Sequence, residues 1–381
     1  MAFRHTRRKF IQTTSLGAAG LALGGIVQSA GRAYGYVPRD EINPNISNLR
    51  VVFVHDHAMT TVSGPVSGWS NQNVATNDAV VAANMDKMAC ALAQRADIAE
   101  AWQTIFMKPP AKQWSEVVVA IKTNNIADQH TRNAVMEKMC EVLVNHVGVV
   151  GTNIHIYDAT HGGNMMTTTP WYGLPPGVQI ERTWGGHNTW VSLPLPYGAS
   201  SQCVASIATG MVDILINIAL CKGHNWGFGN FTMCLKNHYG TFTPSCDPGV
   251  GGNPTDYLLS INKSEAILGP MDPGSGRIIT ARQQLCFIDA LWGSQGGPNG
   301  EPTDQPNRFF MGTFGPVVDY QVATKFRRDT RGWSINESVV ARFLSEFGYA
   351  PSDIPDNEAM IDAMTWSPSR TRANPRWSRY E

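Results

Sequence analysis

The sequence predicts an α/β fold: a mostly parallel sheet with flanking helices and long loop insertions. Three observations carry this. Short apolar, β-branched runs recur along the chain, the clearest being Val117 to Lys122 (VVVAIK). Segments with helical spacing of apolar residues lie between several of them. Charged residues make up only 16% of the 381, below the ~25% of ordinary globular proteins, while 36 glycines and 23 prolines point to long ordered loops.

The elements follow in order. Leu49 to His55 reads as a buried first strand ending in His55-Asp56-His57. Asp78 to Ala93 places Val80, Val81, Met85, Met88 and Leu92 at helical spacing, and Asp97 to Phe106 continues as helix until Pro109-Pro110 stop it. Val117 to Lys122 is the next strand. Thr131 to His146 carries Val135, Met139 and Leu143 on one helical face and closes at Gly148. Asn153 to Tyr157 follows as a strand, and strand, helix, strand at this length predicts a parallel crossover. The stretch from Asp158 to Ser200 reads as irregular, apart from an alternating segment near Thr189 to Leu193 that suggests a hairpin or edge strand. Asp213 to Leu220, Gln283 to Leu291 and Phe309 to Thr313 read as further strands. Val317 to Arg327 and Val339 to Phe347 read as closing helices.

Residues 1–35 read as an address. Arg7-Arg8 followed by Lys9-Phe10-Ile11 and an uncharged stretch from Thr13 to Gly31 is the pattern of a twin-arginine export signal. The expected partner is the twin-arginine translocase, and the expected location is the periplasm or another extracytoplasmic space. That route carries folded cargo, often with a cofactor or an exported redox partner attached. Residues 36–365 then form the α/β domain and 366–381 a basic tail. No later run approaches the ~20 apolar residues of a membrane span, so no transmembrane segment is expected in the mature chain. Lys plus Arg equals Asp plus Glu at 30 each, which leaves no global field for nucleic acid.

The seven cysteines are scattered and contain no iron–sulfur cysteine motif. Burial as small apolar residues is expected for many, with Cys221, Cys234 and Cys246 as candidates for a disulfide or a ligand role.

The candidate chemistry sits just past strand ends, where open parallel sheets bind ligands. After the Asp213 strand come Lys222, Gly223 and His224, then Lys236, Asn237 and His238. After the Val117 strand come Lys122, Asn124 and Asp128. His224, Lys236 and Asp128 are the candidate catalytic groups: a histidine as general base or metal ligand, a lysine as point charge or covalent attachment, an aspartate to orient them. Lys122, Asn124, Lys222 and Asn237 are candidates for cofactor binding. His55 and His57, which project to one side, and His238 are candidate metal ligands. His155, inside a strand, reads as a satisfied core residue. No nucleophile elbow, P-loop or HExxH is present.

These blocks resemble the family known only as the domain of unknown function numbered 362. Val119 to Asn124 and Ile154 to Asp158 resemble its early part; Asp213 to Asn217 with Lys222-Gly223-His224 resembles its strand followed by Lys-x-His. Thr232 through Leu235-Lys236-Asn237 and Gly240 is similar to its most distinctive block, and Ile288-Asp289-Ala290 and Gly315 to Tyr320 to its later ones. Gly315 stands where that family usually has an aspartate. The resemblance implies an α/β fold and candidate residues rather than a reaction. Asp128-Gln129-His130-Thr131-Arg132 is also similar to a short signature of the lactate racemase family, which implies a nickel-pincer nucleotide held by a lysine and histidines. The function expected is therefore a cofactor- or metal-dependent periplasmic enzyme or redox protein. The alternatives are a non-catalytic subunit of an exported redox complex, or a binding protein for an anionic small molecule.

Overall fold

A computed structural model of the chain describes residues 37, 39–126, 129–159, 171–182, 184–243, 253–354 and 360–368. The segment read as an export signal, Asp128, Cys246 and nearly all of the basic tail lie outside the described residues.

Eight strands form one sheet: β1 (Val51–His55), β2 (Val119–Lys122), β3 (Ile154–Tyr157), β4 (Gln179–Glu181), β5 (Ile214–Leu220), β6 (Gln283–Ala290), β7 (Arg308–Gly312) and β8 (Ile361–Asp362). They lie in the order β8-β1-β7-β6-β5-β2-β3-β4. Only β7 runs against its neighbours; the other pairings are parallel. The expected α/β fold with a mostly parallel sheet is what the chain adopts.

Both faces are covered. Ile214, Ile216 and Ile218 of β5 point into one core, and Leu215 and Ala219 into the other. This is why β5 reads as a continuous apolar run rather than an alternating one. On the first face pack α1 (Asp78–Ala93), α2 (Ile98–Ile105) and α3 (Asn133–Val142). On the second pack α4 (Cys234–Asn237), α5 (Pro254–Lys263), α6 (Gly315–Gln321) and α7 (Glu337–Ser345). Asn77 caps α1 through the Val80 N–H, and Asp97 caps α2 through the Glu100 N–H. Fully buried side chains such as Trp102, Met139 and Phe343 each contribute roughly 1.5–3 kcal/mol relative to exposure.

Several elements differ from the sequence reading. The edge strand β8 was not expected, and the helix expected over Val317 to Arg327 widens after Gln321. The helix expected to run to His146 loosens after Val142 into wider turns over Leu143–Val147, where Gly148 ends it at φ 92°. Helix α5 was not expected, although Asn253 as cap and Pro254 at the first position are a recognisable start. The edge strand β4 lies inside the stretch read as irregular. The hairpin is present as His187–Ser192 paired antiparallel with Ser200–Val204.

The strand order decides where a crevice opens. β2 is followed, through α3, by β3 on one side; β5 is followed, through α4 and α5, by β6 on the other. The chains leaving the adjacent carboxyl ends of β2 and β5 therefore diverge to opposite faces. Such a switch point is where open α/β sheets bind ligands. Among the described residues no helix is long and apolar enough to cross a membrane.

Candidate functional site

Lys122 is the last residue of β2, and it is fully buried. Its Nζ pairs with Asp158 Oδ1 at 3.1 Å and donates to Asn237 Oδ1 at 3.2 Å and to the Thr123 carbonyl at 2.5 Å. Burial pushes its pKa down, and the charge of Asp158 opposes that. Asp158 Oδ2 also accepts from the Asn125 N–H at 2.7 Å, which ties the end of β3 to the end of β2. Asn237, on α4, closes the group: its Nδ2 donates to Asn217 Oδ1 at 2.8 Å and to the Ile218 carbonyl, while its Oδ1 accepts from Asn124 Nδ2 at 3.0 Å. The ends of β2 and β3 and the middle of β5 are thus held together by polar groups, most of which satisfy one another. The buried Asn124 Oδ1 has no hydrogen-bond partner among the described residues.

His238 lies behind this group, fully buried. Its Nε2 is 2.6 Å from Gln283 Oε1, and its Nδ1 is 3.1 Å from Thr241 Oγ1. Gln283 Oε1 also accepts from Asn217 Nδ2, so it faces the ring as an acceptor. Asn217 Nδ2 also lies 3.0 Å from Nε2, but its two hydrogens have the Cys234 carbonyl and Gln283 Oε1 as acceptors. The short Gln283 contact therefore assigns the proton to Nε2, with Nδ1 accepting from the Thr241 hydroxyl, which meets the Tyr157 hydroxyl at 2.7 Å. Burial pushes the His238 pKa down to about 3, so the ring is neutral. The metal role expected of His238 has no nitrogen left to serve it: both are engaged inside the core.

Lys222 is different. It follows β5 in a two-residue strand, Lys222–Gly223, paired antiparallel with Phe231–Thr232. Its side chain is buried, yet its Nζ has no hydrogen-bond partner among the described residues. Burial is the leading cause that lowers its pKa to about 7; Arg132, Lys122 and Lys236 add to the lowering and Asp158 opposes it. Thr232 stands directly across the strand pair from Lys222, and its buried Oγ1 also lacks a partner among those residues. Gly223 lets this turn form, because a Cβ there would lie 1.9 Å from the Gln295 carbonyl oxygen. The Gly223 N–H donates to the Gly296 carbonyl, so the chain at Gln295–Gly296 lies directly against the Lys222 strand.

His224 and Lys236 flank Lys222 and are half-buried. Lys236 Nζ lies 3.3 Å from the centroid of the Tyr239 ring and 4.6 Å from that of Phe228. His224 packs edge-on against Phe228, and burial, then Lys236 and Lys222, push its pKa down to about 3. Its Nδ1 accepts from the Asn225 N–H at 2.7 Å, which assigns the remaining proton to Nε2. His224 therefore carries its proton on Nε2 as a donor beside Lys222 and Lys236.

Lys122, Asn124, Lys222, His224, Lys236 and Asn237 thus gather around the carboxyl ends of β2 and β5, with His238 behind them against Asn217 and Gln283. His55 and His57 do not join them. Their rings do meet, with centroids 4.8 Å apart, but at the end of β1. β7 and β6 intervene between β1 and β5, a separation of roughly 14 Å at ~4.8 Å per strand. Asn307 Nδ2 approaches His57 Nδ1 at 3.1 Å, and among the described residues no three His, Cys, Asp or Glu side chains gather as a metal site would require. Cys221 and Cys234 are buried free thiols rather than disulfide members. His155 is held by Glu181 at 3.0 Å and stacks on Trp184, a satisfied residue.

Several members were not singled out as candidates. Asp158 is the first residue past β3 and neutralises Lys122. Asn217 interrupts an otherwise apolar strand, the one signal that marked it. Arg132, buried, takes Asp289 at the end of β6 as partner: its Nε lies 3.6 Å from Asp289 Oδ2, and its N–H donates to the same oxygen. Asp319, on α6, accepts the Cys234 and Leu235 N–H groups and so anchors α4 from the far side. These last pairings join residues more than eighty positions apart, beyond what local pattern encodes. No protein-family model, curated protein or solved structure matches the chain.

Proposed function

We propose that this chain is an exported protein that binds an anionic small molecule, or the anionic part of a cofactor, in the strand-end crevice, with Lys222 at its centre. One observation carries the reading: the buried Lys222 amine has no hydrogen-bond partner among the described residues. Burying an unpaired charge is strongly unfavourable, and the group relieves it by losing its proton or by meeting a counter-charge. A buried titratable group strongly perturbed by desolvation and neighbouring charges is a functional-site candidate. The neighbours fit the same ligand. Lys236, Lys122 and Arg132 place positive charge near Lys222, the last two offset by Asp158 and Asp289, and His224 keeps a proton on Nε2. The blocks that resemble the family numbered 362, Lys222-Gly223-His224 and Leu235-Lys236-Asn237, border this crevice.

Export by the twin-arginine translocase, and so residence in the periplasm, rests on Arg7 and Arg8. A cofactor that carries phosphate fits both parts of the reading. A metal ion held directly by protein side chains draws less support, since the histidines expected to hold it are either engaged at both nitrogens or stand apart at the end of β1.

The test is ligand-dependent stabilisation. Inorganic phosphate, sulfate and pyruvate, titrated against the purified protein, are expected to raise its melting temperature saturably for at least one of the three. Lys222→Met is expected to abolish that rise and Lys236→Ala to weaken it. Equal stabilisation in Lys222→Met would remove the crevice from consideration.

A further inference from the structure

We infer that Lys222 is a nucleophile that forms an imine with the carbonyl of a small anionic aldehyde or 2-oxo acid bound in the crevice, an inference that rests on the anion-binding reading above. The three crevice lysines are not equivalent, and their differences select one. Lys122 is locked by Asp158, Asn237 and the Thr123 carbonyl, so its lone pair is withheld. Lys236 is half-buried against the faces of Tyr239 and Phe228, contacts that favour the charged ammonium. Of the three, Lys222 combines burial with an Nζ that no hydrogen bond from the described residues occupies.

A lysine kept only to attract an anion works best fully charged. A desolvated amine beside other cations is instead the arrangement that activates lysine as a nucleophile toward carbonyls. Here burial, with Arg132, Lys122 and Lys236, brings the Lys222 pKa to about 7, so about half the amine is neutral near that pH. Lys236 would hold the carboxylate or phosphate of the substrate, since Lys122 is engaged by Asp158 and Arg132 by Asp289. The unpaired amine and the anion-binding lysine thus have separate tasks.

The step balances without any redox partner. The Nζ lone pair attacks the carbonyl carbon, and a proton passes from nitrogen to the former carbonyl oxygen to give a carbinolamine. That oxygen then leaves as water with one further proton, and the C=N bond forms. That further proton comes from solvent or from the bound anion, since Thr232, directly across from Lys222, does not hydrogen-bond its Nζ. The charge of Asp158, which already acts on Lys222, offsets the positive charge of the protonated imine.

The experiment is reductive trapping. The purified mature protein is incubated with sodium cyanoborohydride and either pyruvate or glycolaldehyde phosphate, which separate the carboxylate and phosphate forms of the anion. One reduced adduct per chain is expected with at least one probe, mapped to Lys222 by peptide mass spectrometry and suppressed by excess inorganic phosphate. The wild-type labelling rate is expected to rise through pH 7 rather than pH 10, a readout that needs no variant. Adducts confined to other lysines, or none while phosphate still stabilises the protein, would overturn the imine and leave the anion site standing. Absence of both adduct and stabilisation by phosphate, sulfate or pyruvate would overturn the two together.

Discussion

Lys222→Met isolates the cost of the buried amine. Methionine keeps an unbranched stem of similar length and removes the ammonium, and no hydrogen bond is lost because Lys222 Nζ makes none among the described residues. The unfolded chain protonates this lysine near 10.5, whereas the native protein does so only near 7. Between these pH values the unfolded state holds more protons, so native stability rises with pH. Below pH 7 the wild type carries the whole penalty, roughly 5 kcal/mol when about 1.4 kcal/mol is counted for each pH unit separating the two values. Lys222→Met is therefore expected to be the more stable protein at pH 6, with an advantage that shrinks by about 1.4 kcal/mol per pH unit above 7. Urea unfolding of both ligand-free proteins at pH 6, 7.5 and 9 measures this directly. A difference that does not vary with pH, or a variant less stable than wild type at pH 6, would refute the reasoning.

Other perturbations separate scaffold from site. Lys122→Met leaves Asp158 buried without its counter-charge and is expected to cost about 3–5 kcal/mol; adding Asp158→Asn should restore much of it, which a double-mutant cycle by denaturant unfolding would measure. Gly223→Ala drives a Cβ into the Gln295 carbonyl and is expected to lower stability by about 1–3 kcal/mol, read as a fall in melting temperature. His238 stays neutral down to about pH 3 while the unfolded chain protonates near 6.5, so its contribution is complete above pH 6.5 and lost as pH falls toward 3; His238→Gln should flatten the acid limb of the stability profile. Replacing Arg7 and Arg8 together by lysine is expected to leave the full-length precursor in the cytoplasmic fraction, as immunoblotting of cell fractions would reveal.

Much of the fold was legible because each strand of the sheet core is a short apolar run bounded by polar residues. Val119–Lys122, Ile154–Tyr157 and Ile214–Leu220 fall within two residues of the sequence reading. The cluster after β5 was legible for the same reason: a lysine or histidine directly past a buried strand adds little to packing and stands where a ligand would meet it. What the sequence did not carry was strand order. His55 looked as eligible as His224, since both follow strands, but β1 lies across β7 and β6 from β5. Nor did it carry the partners. Lys122 looked like a ligand-facing lysine until Asp158, thirty-six positions on, proved to neutralise it. His238 resembled a metal ligand until Gln283 and Thr241 filled both nitrogens. Lys222, weighted below Lys236 by motif, became the central residue because burial and pairing are properties of the fold alone.

The most direct test of the anion crevice is anomalous diffraction from crystals soaked in selenate, a heavy mimic of sulfate and phosphate. A selenium peak within hydrogen-bond reach of Lys222 Nζ, absent in crystals of Lys222→Met, is the predicted result. Selenate bound only at surface lysines and arginines, with the Lys222 amine left untouched, would contradict it.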